Sequence, residues 1–327
     1  MKSVRTNGCG CFIGLDEAGY GPNLGPLVIA TSVWETPGSP DGCDFYSCLG
    51  QVIDLKASSD SSRIQVADSK QVNVGKNAFR NLERSALSLL RSTGIQPTTN
   101  HELWRVLCLG DETSANDFEN SLADWERGSI TIPVEADEDD IAEMADRLSN
   151  CFAEQGIVCQ EFVAQIVPAA RFNRLLDEHG SKGVVLSTLG VQLLQSVWDS
   201  ESITPTVIVG DKHGGRNRYD GFIEGIVGDA MIFRIEEGRQ MSRYRVGSTE
   251  LRFQVQGERH LPVAAASIVA KYFRELAMMQ FNEYWKTHVP EIRPTKGYPT
   301  DARRFLKDIQ PVLTELELNL DDLWRRR

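Results

Sequence analysis

Apolar residues occur along this chain in two patterns, and the shorter pattern predicts β-strands. Short runs rich in Val, Ile and Phe are bounded by glycine, proline or charged turn residues, as strands usually are. The predicted strand segments are CGCFIGLDEAG, GPLVIATSVWE, IVCQEFVAQIV, TPTVIVGDKHGG, AMIFRIEE, SRYRVGS and ELRFQVQGE.

The longer pattern repeats apolar residues every three or four positions and predicts amphipathic helices. The segment VADSKQVNVGKNAFRNLERSALSLLRSTGI is read as a turn and then a helix that ends at Gly94, with an apolar face of Phe79, Leu82, Ala86, Leu89 and Leu90. The other predicted helices are DEDDIAEMADRLSNCFAEQG, PAARFNRLLDEHG, SKGVVLSTLGVQLLQSVWDS, LPVAAASIVAKYFRELAMMQFNEYWKTH and DARRFLKDIQPVLTEL.

Strands and helices alternate within one continuous run, which predicts an α/β or α+β layered fold. We expect one main domain over residues 9–290 and a helical C-terminal extension over 291–327. Residues 97–138 lack strong periodicity, apart from a possible short strand, SITIPVE, and we interpret them as an insertion.

The composition is that of an ordinary globular protein, with 327 residues, 41% of them hydrophobic and 25% charged. No apolar run is long enough for a membrane span, and the N-terminal stretch lacks the apolar core of a secretory signal. The seven cysteines contain no CxxC pair, which favours reduced thiols and a cytoplasmic location. The net charge of −11 argues against nucleic acid if taken alone, but local basic patches decide such binding.

Three of the strand-like segments end in acidic residues, which are Asp16 with Glu17, Asp211 and Glu258. Neighbouring strand residues point to opposite faces, so Asp16 and Glu17 share a site only if the chain bends at the glycines that follow. Four converging carboxylates would repel one another, and a divalent cation would remove the conflict. Carboxylate oxygens favour Mg²⁺ or Mn²⁺, and two such ions about 4 Å apart can activate a water that attacks a phosphodiester.

A simpler interpretation stays open at this point. An apolar strand that ends in aspartate is common, and each acid could instead pair with a lysine or arginine. The DSK segment at 68–70 could be only a turn.

Five motifs of this chain resemble those of the type 2 ribonuclease H family, which comprises ribonucleases HII and HIII. GLDEAGYGPNLGPLVIA resembles the opening strand and turn of that family. The others follow in family order: ADSK at 67–70, VIVGD at 207–211, GERHLPVAAASIVAKYFRE at 257–275 and KGYPT at 296–300.

The resemblance implies a ribonuclease H-like fold, a central mixed sheet flanked by helices. It also implies endonucleolytic hydrolysis of the RNA strand of RNA–DNA hybrids, or at ribonucleotides embedded in duplex DNA, leaving 3′-hydroxyl and 5′-phosphate ends. The implied cofactors are Mg²⁺ or Mn²⁺, with two ions expected. The implied metal-binding and catalytic acids are Asp16, Glu17, Asp211 and Glu258.

The resemblance also implies substrate contacts. Backbone groups of the turn formed by Gly19, Tyr20 and Gly21 would meet the 2′-hydroxyl that distinguishes RNA from DNA. Ser69 and Lys70 would meet the substrate backbone. Tyr298 would stack on the sugar next to the cleaved bond.

The chain departs from the family at two positions. Tyr20 stands where ribonuclease HII has arginine and ribonuclease HIII has lysine, which removes a charge-assisted phosphate contact worth about 1 kcal/mol or more. Glu258 matches ribonuclease HIII, whereas KGYPT matches ribonuclease HII, so the preference for single ribonucleotides or for hybrid runs stays open.

The loop after Asp211 offers replacements for the missing cation, namely Lys212, Arg216 and Arg218. His213 in that loop is a candidate for proton transfer or simply a loop residue. A second hypothesis is a diverged protein that binds nucleic acid or a protein partner without cleavage, and the acidic insertion is a candidate for the partner surface.

Overall fold

The computed structural model describes residues 9–56, 62–72, 75, 77–108, 122–212 and 215–326, apart from the side chains of Lys70 and Gln71. Strands and helices are numbered in chain order over these ranges. The predicted α/β architecture is confirmed, because a seven-stranded mixed sheet lies between helices that pack on both of its faces.

The order of the strands in this sheet is β5-β2-β1-β6-β9-β8-β7. Strands β1, β6 and β9 run parallel to one another, and every other neighbouring pair is antiparallel. The strands are β1 Gly10–Ala18, β2 Leu27–Thr36, β5 Val158–Val167, β6 Thr206–Asp211, β7 Ile232–Glu237, β8 Met241–Val246 and β9 Thr249–Gln254. A separate parallel pair is formed by β3 Ile53–Asp54 and β4 Ile64–Gln65.

The helices include all those that the sequence pattern predicts, together with shorter ones. They are α1 Phe45–Cys48, α2 Ser69–Val72, α3 Ala78–Ser92, α4 Asn100–Leu107, α5 Glu138–Glu154, α6 Ala169–His179, α7 Lys182–Val197, α8 Asp220–Val227, α9 Leu261–His288, α10 Pro299–Glu315 and α11 Leu320–Leu323. Short 3₁₀ turns cover Pro40–Gly42, Asp124–Glu126 and Gly257–Arg259. Among the described residues, none of the helices combines the length and the hydrophobicity needed to span a bilayer.

Alternation along β1 divides the core into two layers. Phe12 belongs to the layer built with α3, α5 and α9, whereas Ile13 and Leu15 belong to the layer built with α7 and α8. The predicted apolar face of α3 is confirmed, because four of its five residues are buried in the first layer and Phe79 packs against it.

Helix α9 approaches β1 so closely that backbone meets backbone. A Cβ atom added to Gly14 would lie 2.2 Å from the carbonyl carbon of Pro262, so only glycine fits there. The Ser32 hydroxyl donates to the Pro262 carbonyl at 2.6 Å. These contacts fix the start of α9 relative to β1 and therefore position the residues on either side of it.

The C-terminal residues form a third apolar cluster on the far end of α9. Phe281 and Trp285 of α9 pack there with residues of α10 and α11, and Trp125 joins them. The predicted helix DARRFLKDIQPVLTEL is confirmed as α10, and α11 follows it. The division into a main domain and an extension stays a prediction.

The segment 97–138 differs in detail from the expectation. Residues 109–121 lie outside the described residues, but helix α4 precedes them and was not predicted. The predicted strand SITIPVE is wrong, because Thr131 forms only an isolated bridge with Thr99. Pro133 has no backbone N–H, and the N–H groups after it turn inward to a side chain instead of to a strand.

That side chain is Glu83 of α3, which is fully buried. Its carboxylate accepts hydrogen bonds from the backbone N–H groups of Val134, Glu135 and Ala136 at 2.7–2.8 Å, and from the Tyr272 hydroxyl at 2.8 Å. One acid therefore joins α3, α9 and the segment before α5.

We expect Glu83→Ala to lower the free energy of unfolding by about 2–4 kcal/mol, because it leaves the buried Tyr272 hydroxyl and three part-buried backbone N–H groups without their acceptor. Urea unfolding followed by circular dichroism measures this. Glu138→Ala, which removes an exposed carboxylate paired with Arg91, serves as the control and should change stability by less than about 1 kcal/mol. Similar losses for the two variants would contradict the role given to Glu83.

Candidate active site

Asp16 and Asp211 lie beside each other at the carboxyl ends of two parallel strands. Strand β1 pairs with β6 through Leu15 and Gly210, and the two aspartates are the next residue on each strand. Paired positions of parallel strands share a face, and here it is the face covered by α9. The sheet topology therefore brings together acids that are nearly two hundred positions apart in the sequence.

Glu258 reaches the same edge from the end of β9. Gln256 adopts a left-handed backbone with φ of 61°, and the chain then turns through Gly257–Arg259. The N–H of Gly257 donates to Asp211 Oδ1 at 3.3 Å. A Cβ on Gly257 would lie 3.2 Å from the Asp211 nitrogen, so the absence of a side chain allows this segment to approach Asp211.

The carboxyl group of Asp16 lies at this edge of the sheet, and the charges of neighbouring acids act on it. Burial raises its pKa well above the ordinary value, and the nearby charges of Glu17 and Glu258 raise that pKa further. Hydrogen bonds from the Ser267 hydroxyl and from the Glu17 backbone N–H oppose the shift only in part. Burial and repulsion thus disfavour the ionised form of Asp16, as the convergence of acids predicts.

These side chains offer oxygen donors of the kind that Mg²⁺ and Mn²⁺ prefer. Within the described ranges, no three acidic, histidine or cysteine side chains are close enough together to form a ready metal site. The predicted metal set of Asp16, Glu17, Asp211 and Glu258 therefore stays a prediction. Its donor chemistry and the unfavourable charge on Asp16 both suit a divalent cation.

Ser267 connects Asp16 to the DSK motif. This serine lies on α9, and its hydroxyl is 3.1 Å from the hydroxyl of the buried Ser69 on α2. Ser69 is thus linked to Asp16 through Ser267, and its contact with the substrate backbone stays a prediction. The side chain of Lys70 lies outside the described residues.

The turn at Gly19, Tyr20 and Gly21 follows β1 directly. Gly19 has φ of 88°, and a Cβ there would lie 2.6 Å from the Pro26 carbonyl oxygen and 2.5 Å from Arg274 Nε. Only glycine therefore accommodates this bend. Asp16 and Glu17 precede this bend and lie in the regular pairing of β1 with β2, so their side chains leave opposite faces of the strand.

Tyr298 lies beside this turn, with its Cε1 atom 4.0 Å from the position of a Cβ on Gly21. Its loop is held by the carbonyl of Gly297, which accepts from the N–H groups of Asn23 and Leu24 at 2.8 and 3.2 Å. The structure thus brings Tyr298, which is 52% exposed, next to the turn with which the sequence motifs associate it.

Two buried arginines lie against this part of the chain: Arg325 bonds the turn itself, and Arg274 bonds the neighbouring loop that carries Tyr298. Arg325 Nη2 donates to the carbonyl of Gly19 at 2.5 Å and to that of Pro22 at 2.8 Å, and Arg274 Nη2 donates to the carbonyl of Lys296 at 2.9 Å. Burial lowers the pKa of both, and the charge of Arg274 lowers the pKa of Arg325 further. Two positive charges are thus buried next to the turn, where water does not solvate them well.

The loop candidates that follow Asp211 have different environments. Lys212 donates to Asn217 Oδ1 and to the Gly238 carbonyl, and Arg218 is ion-paired with Glu237 at 3.5 Å. Arg216 instead lies near Tyr20. His213 lies outside the described residues.

Sequence reasoning did not single out Ser267, Arg274 and Arg325 as functional residues. Ser267 is the only polar side chain in the run PVAAASIVA, which is a usable signal for a buried hydrogen-bonding role. Arg274 and Arg325 carry no comparable signal, because arginines on a long helix or in a basic tail are usually exposed.

No protein-family model matches the chain, and no curated protein matches it. Solved structures do resemble it, at low sequence identity. They include the ribonuclease H2 of Pyrococcus horikoshii OT3, which is 15% identical with a TM-score of 0.42 over 96% of this chain and 92% of its own. The ribonuclease HII of Archaeoglobus fulgidus, solved in a complex with PCNA, is 13% identical with a TM-score of 0.42 over 97% and 94%.

Bst-RNase HIII in complex with Mn²⁺ is 15% identical with a TM-score of 0.39, over 96% of this chain and 65% of its own. These structures are ribonucleases H2, HII and HIII, which is the family that the motifs of this chain resemble.

Proposed function

We propose that this protein is a type 2 ribonuclease H that hydrolyses the RNA strand of RNA–DNA hybrids, or cleaves at ribonucleotides embedded in duplex DNA, with Mg²⁺ or Mn²⁺. One observation carries the proposal. The charges of Glu17 and Glu258 act on the buried carboxyl of Asp16, and Asp211 takes the corresponding position at the end of the neighbouring parallel strand. Such a concentration of negative charge suits a site for divalent cations.

In this proposal the four acids would hold two divalent ions, and the chemistry that such ions would supply is activation of a water and stabilisation of the leaving oxygen. Asp16 would hold an ion together with the acids whose charges act on its carboxyl, Glu17 and Glu258. The Ser267 hydroxyl orients its carboxylate. The short links through Gly257 and Gly14 keep the acids in fixed relative positions before substrate arrives.

Other residues bind the duplex. The turn at Gly19, Tyr20 and Gly21 presents backbone groups to the 2′-hydroxyl, and Tyr298 stacks on the neighbouring sugar. Ser69 and Lys70 contact the substrate backbone, which positions the duplex without reading its sequence.

The test is cleavage of labelled 20-base-pair substrates by the purified chain with Mg²⁺, Mn²⁺ or EDTA. The substrates are an RNA–DNA hybrid, a DNA duplex with one ribonucleotide, an all-DNA duplex and an all-RNA duplex. We expect metal-dependent products with 3′-hydroxyl ends from one or both of the first two only. An Asp211→Asn variant purified in parallel controls for contaminating nuclease.

The substrate panel also addresses the hypothesis of a protein that binds without cleaving, which the absence of a cation at position 20 favours. Tight binding of the hybrid in EDTA, combined with no product in either metal, would support that hypothesis and overturn ours. Cleavage of the single-ribonucleotide duplex alone would assign a preference like that of ribonuclease HII.

A further inference from the structure

Tyr20 leaves the substrate turn without the positive charge that its position carries in the family it resembles. Tyr20 is half-buried, and its environment contains cations from elsewhere in the chain. Burial and the charge of Glu17 raise the pKa of its hydroxyl, and the charge of Arg216 opposes this. The Tyr20 hydroxyl is thus close enough to Glu17 and to Arg216 for the charge of each to act on it.

Lys182, the first residue of α7, lies on one side of Tyr20. Its Nζ atom donates to the Tyr20 backbone carbonyl at 3.0 Å and lies 5.1 Å from the centre of the Tyr20 ring. The same ammonium is 5.7 Å from the ring of Phe172. The rings of Tyr20 and Phe172 thus keep the Lys182 ammonium group beside the turn.

Arg216 lies on the other side, above the start of the same helix. A Cβ added to Gly183 would lie 3.8 Å from Arg216 Nη2 and 3.9 Å from the Tyr20 hydroxyl, so these two groups meet over a residue that has no side chain. The guanidinium stacks on Phe222, with its carbon 4.7 Å from the ring centre. It is therefore oriented by an aromatic face.

The charge of Arg216 is not neutralised by an ion pair with any described residue. Within the described portion of the chain, Arg216 forms no ion pair, and its Nε atom is buried without a hydrogen-bond partner. The neighbouring loop cations differ, since Arg218 pairs with Glu237 and Lys212 is bonded to Asn217 and Gly238. A guanidinium that is stacked, oriented and unpaired is suited to an external anion.

We propose that Lys182 and Arg216 form a phosphate-binding subsite around Tyr20 that replaces the missing cation of the turn. This inference rests on the proposed function, because it gives the phosphate of a nucleic acid strand as the ligand. Lys182 acts as a point charge, and Arg216 donates its N–H groups to non-bridging phosphate oxygens. Two residues from separate segments thus perform the role of one residue in the turn.

The test measures hybrid binding by fluorescence anisotropy in EDTA, so that no cleavage occurs, at several salt concentrations. We expect Arg216→Gln and Lys182→Gln each to weaken binding about three- to tenfold. Each should also lower the slope of log affinity against log salt by roughly 0.7–0.9, as expected for one lost phosphate contact. Arg91→Gln removes the same charge from α3, where Arg91 pairs with Glu138, and should leave the slope unchanged.

A rescue separates this role from a structural one. Tyr20→Arg in the Lys182→Gln/Arg216→Gln background restores a cation to the turn, and we expect it to recover a slope close to that of a single variant. Thermal unfolding of each variant verifies that the fold is intact. Lost binding without a change in slope, or no recovery by Tyr20→Arg, would contradict the subsite.

The outcomes also separate this inference from the proposed function. If the unmodified chain cleaves the hybrid but both charge variants bind with its affinity and slope, only the subsite is wrong. If the unmodified chain neither cleaves nor binds the hybrid, the proposed function fails and the subsite fails with it.

Discussion

Asp16→Asn is expected to abolish metal-dependent cleavage of the RNA–DNA hybrid, with a loss in rate of about 10³-fold or more. The amide keeps the shape of the side chain but removes a carboxylate on which Glu17 and Glu258 act, so the proposed site would lose a ligand for divalent ions. Initial rates with Mn²⁺, measured at enzyme concentrations above the substrate, give this loss directly. Rates within tenfold of the unmodified chain would contradict the role of Asp16.

The same variant should be more stable than the unmodified chain when no metal is present. Burial and two like charges disfavour the ionised Asp16, and asparagine relieves both. Added Mn²⁺ should raise the melting temperature of the unmodified chain and not that of the variant. Asp139→Asn, an exposed acid on α5, is the control and should change neither quantity appreciably.

The raised pKa of Asp16 also fixes the sign of a pH effect on the metal-free protein. Between the ordinary aspartate value of about 3.9 and the raised value, the folded chain keeps a proton that the unfolded chain has lost. The free energy of unfolding therefore falls as pH rises through that window. Asp16→Asn should flatten this dependence, and an equally steep profile in the variant would assign it to another group.

Arg325→Met is expected to lower kcat/KM for hybrid cleavage by roughly 10–100-fold, which corresponds to about 1.4–2.7 kcal/mol of transition-state stabilisation. Methionine fills much of the same volume but donates nothing to the carbonyls of Gly19 and Pro22, so the turn loses its support. Steady-state kinetics on the hybrid measure this. The adjacent Arg326→Met, which removes an exposed ion pair with Asp177, is the matched control and should retain activity.

Stability should respond differently from activity in this variant. Arg325 is fully buried, repels Arg274, and has two nitrogen atoms, Nε and Nη1, without hydrogen-bond partners among the described residues. Replacing such a charge by an apolar side chain costs little, because desolvation offsets its hydrogen bonds. We expect a change of less than about 1.5 kcal/mol in the free energy of unfolding. A large loss of stability together with a proportional loss of activity would mean that Arg325 is only structural.

Arg325→Lys gives a further distinction. It keeps the charge and one donor, so partial recovery relative to Arg325→Met is expected if positioning of the turn is the function. Equal activity of the lysine and methionine variants would show that the fork-shaped donor group itself is required.

Much of the architecture could be predicted because its signals are local. The strand that carries Asp16 and the helix α9 each have an unbroken apolar pattern with turn residues at both ends. The helix α4 escaped prediction because it is only eight residues long and buries only two apolar residues, Leu103 and Leu107, which is too short a run to show helical periodicity. The SITIPVE error has a different origin. The backbone N–H groups after Pro133 donate to Glu83 on α3, a contact that the local sequence does not reveal.

Some residues of the candidate site could be predicted from the sequence, and others could not. The acids and the glycine-rich turn lie in short motifs, so their placement at strand ends follows from the sequence. Arg325 and Lys182 act through contacts with Gly19 and Tyr20 that are far apart along the chain. Nothing in LWRRR or SKGVV distinguishes these residues from ordinary exposed cations, so only the folded chain identifies them.

The contact between Arg325 and Gly19 joins residues that are 306 positions apart. During synthesis at about 5–20 residues per second, the turn after β1 therefore waits roughly 15–60 s for the side chain that supports it. Through that interval the strand bearing Asp16 can already pair within the sheet, while the neighbouring turn lacks its final restraint. A nascent chain of this protein would thus pair β1 with β2 early and complete the support of the Gly19 turn only after Arg325 has left the ribosome.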